Sequence, residues 1–228
     1  RTWNSLIQQR PIIDGGSYFK EEYFRYAVED GPLFLSLEQP DGSIESRMMK
    51  RGKKFITVDA AAKEKDENDE TAIAVWYETE KNELVLWDLF HGRIDFTKQE
   101  EMIEYYAKLY DIIDLNIEDS SNGTGLIARL SKKGYNVNGQ VANRDKVTRA
   151  ERVLDWFCRG NVYFHRRLST ITHDKSDIPK NVMDYIKDQL ISFPTGKHDD
   201  IVDAISWAGY VIADKIDESN HGLMFGGV

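Results

Sequence analysis

The stretch KFITVD at residues 54–59, followed by three alanines at 60–62, decides how the rest of the chain can be interpreted. β-Branched and aromatic side chains dominate this stretch, which predicts a short buried strand. The strand ends on the carboxylate of Asp59, and a buried carboxylate is costly unless something pairs with it. Because a divalent metal ion is one such partner, Asp59 is the first candidate metal ligand.

The periodicity of the remaining chain predicts a mixed α/β fold. Strands are predicted at 54–59, 71–77, 83–91, 112–119, 136–142 and 161–164. Helices are predicted from Thr97, at 122–133, at 147–157, from Pro179, and from near Asp199 to about Asp214. Three strands joined by tight turns therefore precede alternating strands and helices. We expect a mixed sheet with three antiparallel-type strands and then parallel strands, flanked by helices.

Composition excludes several classes of protein. The 228 residues, 41% of them hydrophobic, are enough for one large domain with a sizeable core. A net charge of −9 argues against a domain that binds DNA tightly by itself, since such domains are usually basic. The single cysteine, Cys158, excludes an internal disulfide and suits a reducing compartment. No apolar run approaches the ~18 residues that span a membrane, so we expect no membrane partner.

Acidic residues fall at three predicted element ends: Asp59, then Glu118 with Asp119, then Asp199, Asp200 and Asp203. Each of them could have a plain structural role, as a strand-end turn, a solvated loop or a helix cap. Strand ends and a helix start can also bring carboxylates within a few Å, where they repel one another unless cations neutralise them. Carboxylate oxygens suit Mg²⁺ or Mn²⁺, and two such ions ~4 Å apart can promote phosphodiester cleavage.

Four segments resemble the nuclease domain of the large terminase subunit of tailed bacteriophages, which has a ribonuclease-H-like fold: FITVDAA, NIEDSSNGTGLIARL, KVTRAERVLDWFCRGNVYF and GKHDDIVDAISWA. The resemblance covers Phe55 to about Ala213. It implies an endonuclease that cuts double-stranded viral DNA during genome packaging, using two Mg²⁺ or Mn²⁺ ions. It also implies roles in the site: Asp59, Glu118 and Asp200 as catalytic metal ligands, Asp203 as a further ligand, and Asp119, Asp199 and His198 as supporting residues.

The same resemblance divides the chain. Residues 1–50 have weak periodicity and resemble the piece that joins such a nuclease to the packaging ATPase, although an irregular N-terminal part of the same domain is an equal alternative. Residues 51–214 are the expected nuclease domain, and 215–228 an expected flexible tail. The pattern Gly-x-x-x-x-Gly-Lys-[Ser/Thr] is absent, so the ATPase motor lies outside this sequence. The implied partners are that ATPase domain, the small terminase subunit and the portal.

Basic residues near the acids are candidate DNA contacts. Lys146 and Arg149 lie on one side of a predicted helix and could meet the DNA backbone, but a solvated face with salt bridges is equally compatible. Lys197, beside the acids, could steer a phosphate, or it could be a surface lysine. Arg166 belongs to a polar segment that could approach DNA, although an ordinary solvated excursion explains it as well.

Two other functions fit the sequence. The first keeps the fold and changes the substrate to a Holliday junction or an RNA–DNA hybrid, which usually requires unaided binding that the net charge of −9 disfavours. The second is a module without catalytic activity that docks a packaging motor on a capsid or on DNA. For the leading interpretation we expect the host cytoplasm as the location.

Overall fold

The structure is a computed structural model that describes residues 17–61, 70–120, 122–143, 145–170, 172–173 and 180–225. The predictions about residues 1–16, about Pro179 and about the last three residues of the tail lie outside these ranges. The highly charged run at 63–70 is predicted to be a solvated turn, and Glu70 is the one residue of that run within the described ranges.

Nine strands form one sheet in the order β3-β2-β1-β9-β6-β5-β4-β7-β8. Their bounds are β1 (Arg25–Asp30), β2 (Phe34–Glu38), β3 (Ile44–Met48), β4 (Lys53–Asp59), β5 (Thr71–Glu78), β6 (Leu84–Gly92), β7 (Asp114–Glu118), β8 (Asn136–Gln140) and β9 (Val162–His165). Two short strands, β10 (Thr172–His173) and β11 (Lys180–Asn181), pair separately.

The five described helices are α1 (Phe96–Tyr110), α2 (Asn122–Lys132), α3 (Lys146–Cys158), α4 (Val182–Ser192) and α5 (Asp200–Phe225). The cap of α1 differs from the prediction: Asp95, not Thr97, accepts a hydrogen bond from the Lys98 backbone N–H at 2.7 Å. The last helix also continues beyond the predicted end at Asp214 to Phe225. No Gly or Pro interrupts residues 210–221, so the helical backbone extends past the apolar stripe and into the expected tail.

Strand pairing confirms the predicted mixed sheet. β4, β5 and β6 pair antiparallel, with Asp59 opposite Ala72 and Ala72 opposite His91. β7 then pairs parallel with β4, and β8 parallel with β7. β9 is parallel to both β6 and β1. The β-branched runs therefore form the strands that the sequence predicts, with one bound shifted by one residue in each of β4 and β5.

The described part of residues 1–50 belongs to the same sheet as the expected nuclease domain. β1, β2 and β3 form an antiparallel meander that joins the sheet through β9. Phe19 is fully buried, and its ring lies 5.2 Å from that of Phe157 on α3. The described residues of this segment therefore pack with the rest of the sheet, and the division of the chain at residue 50 stays a prediction. A connection to an ATPase domain stays a prediction.

Two hydrophobic cores lie on the two faces of the sheet, one under α3, α4 and α5 and the other under α1 and α2. Side chains alternate along β4, so Phe55 belongs to the first core and Ile56 and Val58 to the second. The hydroxyl of Thr57 donates to the Ala204 carbonyl at 2.7 Å and accepts from Trp76 Nε1 at 2.9 Å. This buried link fixes α5 against β4.

Candidate metal centre

Asp59 and Glu118 end two neighbouring parallel strands. Val58 is paired with Ile117, so the two carboxylates follow that pair at the same edge of the sheet. Ile117 and Val58 belong to the core under α1 and α2, and the alternation of strand side chains directs Asp59 and Glu118 to the face that α5 covers. Strand register therefore places both predicted ligands beneath the first turn of α5.

The first turn of α5 adds Asp200 and Asp203, one helical turn apart. A cleft of about 170 Å³, here named the acidic cleft, is lined by Asp59, Ala60, Ala61, Glu70, Glu118, Lys146, Asp200 and Asp203. Two strands, one helix and the residue before β5 thus contribute carboxylates to one small volume. The local sequence of each element is ordinary, and only the topology brings the acids together.

Close backbone packing fixes the position of Glu118. A Cβ atom on Gly123 would lie 1.9 Å from the Glu118 carbonyl oxygen, so only glycine lets the first turn of α2 approach the end of β7 this closely. On the other side, Trp207 Nε1 on α5 donates to Glu118 Oε2 at 3.1 Å. Both contacts hold the carboxylate at the acidic cleft.

Protein cations compensate Asp203, which is 3% exposed. Arg149 Nη2 on α3 donates to Asp203 Oδ1 at 2.6 Å, and Lys146 Nζ lies 2.9 Å from Asp203 Oδ2. Lys146 also donates to Asp199 Oδ1 at 2.8 Å. These four residues are named the Asp203 group. These residues meet because α3 and α5 pack closely at Gly209. A Cβ atom at this position would lie 2.9 Å from the Val153 backbone nitrogen, so the packing requires glycine.

Asp200 has different surroundings. Ligand atoms of Glu70, His198 and Asp200 lie within 4.8 Å of one another. His91 Nε2 on β6 lies 2.9 Å from Glu70 Oε2 and 3.6 Å from Asp200 Oδ2. These residues are named the Asp200 group. Among the residues that the structure describes, no lysine or arginine pairs with Asp200, and its buried Oδ2 makes no hydrogen bond.

The charges in the acidic cleft alter pKa values in a consistent way. Burial raises the pKa of Asp59 well above its ordinary value, and the negative charges of Asp203, Glu118 and Asp200 raise it further. Burial by itself would lower the pKa of Lys146, but its hydrogen bonds to Asp199 and Asp203 raise that pKa overall. Lys146 and Arg149 therefore compensate only part of the negative charge in the cleft. A bound cation would reduce the remaining repulsion between Asp59 and the other carboxylates.

The donor set fits Mg²⁺ or Mn²⁺. Asp59, Glu118 and Asp200 offer hard oxygen ligands at one cleft, and the buried Asp200 Oδ2 has no hydrogen-bond partner in the described ranges. A buried carboxylate oxygen without a partner is unfavourable unless a cation completes it. These residues could therefore hold a divalent ion, while Asp203 already has two cationic partners.

Three other candidates lie apart from the acids that line the cleft. Asp119 is exposed and accepts a hydrogen bond from the Thr124 hydroxyl at 2.7 Å. Arg166 donates to Glu38 on β2, with Nε 2.6 Å from Oε1, and covers the ring of Tyr26. Lys197 is exposed, and a role toward phosphate stays a prediction for it.

Arg149 faces the protein interior, and its contact with the DNA backbone stays a prediction. Arg149 is 6% exposed, because its position on α3 directs the guanidinium toward α5 and Asp203. Lys146 is half exposed but is held by two carboxylates, so its first role in this structure is ion pairing. Asp199 likewise pairs with Lys146 through its side chain rather than capping the helix with it.

Two residues of the Asp200 group were not predicted. Glu70 ends a charged run that the sequence indicates as a solvated turn, yet its side chain is only 14% exposed. Antiparallel pairing of 54–59 with 71–77 could have identified it, because the residue before Thr71 must then lie beside the end of β4. The same register brings His91 next to Ala72, at the end of β6.

Comparison with known proteins identifies a family and similar folds. Residues 56–209 match the family described as the terminase RNaseH-like domain. A comparison with curated protein sequences gives no match. The large terminase nuclease from thermophilic phage G20c with bound magnesium is 14% identical, with 86% of this chain and 97% of that chain covered and a TM-score of 0.54.

Two further solved structures are similar. The large terminase nuclease domain of Thermus phage P74-26 is 15% identical, with 80% of this chain and 87% of that chain covered and a TM-score of 0.51. The human cytomegalovirus terminase nuclease domain, soaked with Mn and bound to an inhibitor, is 16% identical, with 71% and 84% covered and a TM-score of 0.50. The TM-scores show a shared fold, and the family match covers more than half of the chain. The chain therefore belongs to the family of terminase RNaseH-like domains.

Proposed function

We propose that this chain is a divalent-metal-dependent endonuclease that cuts double-stranded viral DNA during genome packaging. The observation that supports it most directly is the acidic cleft, where Asp59, Glu118 and Asp200 come together from two parallel strand ends and a helix start. The family membership supports the same function, because solved relatives include nucleases named with bound magnesium or soaked with Mn.

In this proposal Asp59, Glu118 and Asp200 hold the ions. Asp203 stays paired with Lys146 and Arg149 and adds its negative charge to the cleft. Held by these residues, Mg²⁺ or Mn²⁺ would supply the activation of a water and the stabilisation of charge on the leaving oxygen of the phosphodiester. Trp207 and Gly123 keep Glu118 at the cleft, and Thr57 keeps the end of β4 against α5. The chain's own contribution is therefore a fixed arrangement of ligands that is costly without a cation.

DNA capture is expected to depend on other parts of the packaging machine. The net charge is −9, and Arg149, a predicted phosphate contact, is buried in an ion pair. We propose the terminase ATPase domain, the small terminase subunit and the portal as partners that bring DNA to the cleft in the host cytoplasm. Among the described helices, none is both long enough and apolar enough to cross a membrane.

Plasmid cleavage tests the proposal. Supercoiled DNA is incubated with the protein in Mn²⁺, in Mg²⁺ and in excess chelator, with Asp59→Asn as the inactive control. We expect nicked and linear products with either metal and none with chelator. Persistent cleavage in chelator would overturn the metal mechanism. Faster cleavage of a Holliday junction or an RNA–DNA hybrid would favour those substrates, and inactivity on all of them would favour a docking module.

A further inference from the structure

We propose that His198 and Glu70 join Asp200 as direct ligands of a mixed nitrogen and oxygen metal site, and that this site favours Mn²⁺ or Co²⁺ over Mg²⁺. The inference rests on the proposed function, because it concerns the ions that the acidic cleft would use. It assigns ligand roles to Glu70, which lies before β5, and to His198, which lies before α5.

The spacing of the three side chains suits one ion. Their ligand atoms lie within 4.8 Å of one another. Opposite ligands of an octahedral ion with bonds of about 2.1 Å are roughly 4.2 Å apart, so the observed group is close to the size that one ion requires. Glu70 and Asp200 are also residues that line the acidic cleft.

Two buried atoms in this group are without a hydrogen bond. His198 Nδ1 and Asp200 Oδ2 both have no hydrogen-bond partner among the residues that the structure describes. Burial removes the solvation of this imidazole nitrogen and this carboxylate oxygen, and no hydrogen bond from the described residues replaces it. A metal ion bound by the group would give both side chains a ligand bond.

A supporting layer orients the proposed ligands. His91 is 4% exposed, and its Nε2 lies 2.9 Å from Glu70 Oε2. Gln189 on α4 is also buried, and its Oε1 accepts a hydrogen bond from the Ile201 backbone N–H at 2.9 Å. Gln189 Nε2 lies 3.4 Å from His91 Nε2. Buried groups that hold ligands in this way are typical of metal sites.

The preference for Mn²⁺ or Co²⁺ follows from the donor types. Imidazole nitrogen binds later first-row metals better than it binds Mg²⁺, which prefers oxygen ligands and keeps several waters. A site of carboxylates alone would discriminate less between Mn²⁺ and Mg²⁺. Exchange of the imidazole for an amide oxygen should therefore reduce affinity for Mn²⁺ and Co²⁺ more than affinity for Mg²⁺.

Equilibrium metal binding without DNA tests the assignment. The intact chain and its His198→Gln and Glu70→Gln variants are titrated with Mn²⁺, Co²⁺ and Mg²⁺ by calorimetry. We expect His198→Gln to weaken Mn²⁺ and Co²⁺ binding by at least about tenfold and Mg²⁺ binding by less than about threefold. The visible absorption of bound Co²⁺ should change with the loss of nitrogen ligation. Glu70→Gln should weaken the binding of all three metals, because a neutral amide oxygen replaces a charged carboxylate.

Glu101→Gln is the matched control, since Glu101 is exposed on α1 and pairs only with Lys98 among the described residues. It should leave all three affinities and the Co²⁺ spectrum unchanged. The ratio of Mn²⁺ to Mg²⁺ affinity does not depend on the folded fraction, so partial unfolding of a variant would not imitate the expected result. An unchanged ratio in His198→Gln, or equal losses for every metal, would overturn the assignment. Absence of plasmid cleavage with an intact His198-dependent preference would instead contradict the proposed function alone.

Discussion

Asp200 and Asp203 lie one turn apart on the same helix and border the same cleft, yet their partners are of different kinds. Asp203 is buried between the guanidinium of Arg149 and the ammonium of Lys146. Asp200 faces Glu70 and His91, with one carboxylate oxygen lacking a hydrogen bond in the described ranges. The helix thus carries two carboxylates of the same type. The elements packed around Asp203 supply cationic partners, whereas those around Asp200 leave it available to a metal ion.

The difference has an energetic meaning. A buried ion pair is costly to break, because the remaining partner keeps its charge in a low-dielectric environment. A buried carboxylate without a cation is unfavourable in the metal-free protein, and its removal costs little or nothing in stability. We therefore expect activity to depend chiefly on the Asp200 group and folding to depend chiefly on the Asp203 group.

Asp59→Asn should have the largest effect, since Asp59 lies between both groups and interacts with Asp200 and Asp203. The change removes one ligand charge and keeps the side-chain volume. We expect plasmid cleavage to fall by more than about a thousandfold, because metal binding and transition-state stabilisation are lost together. Gel-based cleavage rates in Mn²⁺ measure this. Near-normal rates would show that the metal lies elsewhere.

The same variant has a pH signature in chelator. The unfolded chain releases the Asp59 proton as the pH rises past the ordinary pKa of 3.8. Because the pKa of Asp59 is raised in the folded state, the folded protein keeps this proton to a higher pH. Asp59 thus lowers stability at neutral pH, and this loss is relieved as the pH falls through the raised pKa. Asp59→Asn should melt higher than wild type at pH 7, and the gap should narrow toward acidic pH. A variant that melts lower at pH 7 would make Asp59 a structural residue.

The direct comparison is Asp200→Asn against Asp203→Asn. Asp200→Asn should lose nearly all cleavage while its melting temperature in chelator stays the same or rises. Asp203→Asn removes the negative charge that pairs with the buried Arg149 at 2.6 Å and should cost about 3 kcal/mol. For a domain of this size that lowers the melting temperature by roughly 6–12 °C. Cleavage by Asp203→Asn should be partly rescued at higher Mn²⁺. The reverse assignment of activity and stability would contradict our view of the helix.

Part of this comparison was predictable from the sequence. The β-branched runs at 54–59 and 71–77 predict β4 and β5, and acids at element ends predict Asp59, Glu118 and Asp200 as neighbours. Local patterns could not predict the partner of Asp203, since Arg149 reaches it through the packing of α3 on α5 at Gly209.

Local sequence also fails to predict the position of Glu70 and the length of α5. Glu70 ends a highly charged run, so composition predicts solvent exposure, whereas strand register places it at the cleft. The apolar stripe of α5 stops near Ile212 and predicts an end at Asp214, whereas α5 continues to Phe225. Local composition therefore predicts neither the position of Glu70 nor the end of α5.

Lys146→Met should change metal affinity in the opposite direction. The ammonium of Lys146 occupies the acidic cleft and competes electrostatically with a bound cation. A unit charge several Å away is worth about 3 kcal/mol at an effective dielectric constant of 20, and the 51% exposure of Lys146 screens much of it. We expect Mg²⁺ to bind roughly threefold to tenfold more tightly, as measured by calorimetry.

Lys133→Met is the control for that change, because Lys133 pairs with Glu100 and Glu104 and does not line the acidic cleft. It should leave Mg²⁺ affinity unchanged. Weaker Mg²⁺ binding by Lys146→Met would mean that the ammonium arranges the carboxylates for the ion rather than competing with it.

Asp199→Asn should have the smallest effect of all these substitutions at the cleft. The Asp199 carboxylate is 31% exposed and pairs with a lysine that retains Asp203 as a partner. Exposed pairs of this kind contribute up to about 1 kcal/mol, so the melting temperature should fall by no more than roughly 4 °C. Asn at this position keeps the side-chain volume and still offers an amide oxygen as an acceptor for Lys146. Cleavage across a Mn²⁺ titration should therefore stay within about twofold of wild type. If Asp199→Asn were inactive while Asp200→Asn cut normally, the ion would lie on the Lys146 side of α5, and the difference between Asp200 and Asp203 would have to be reversed.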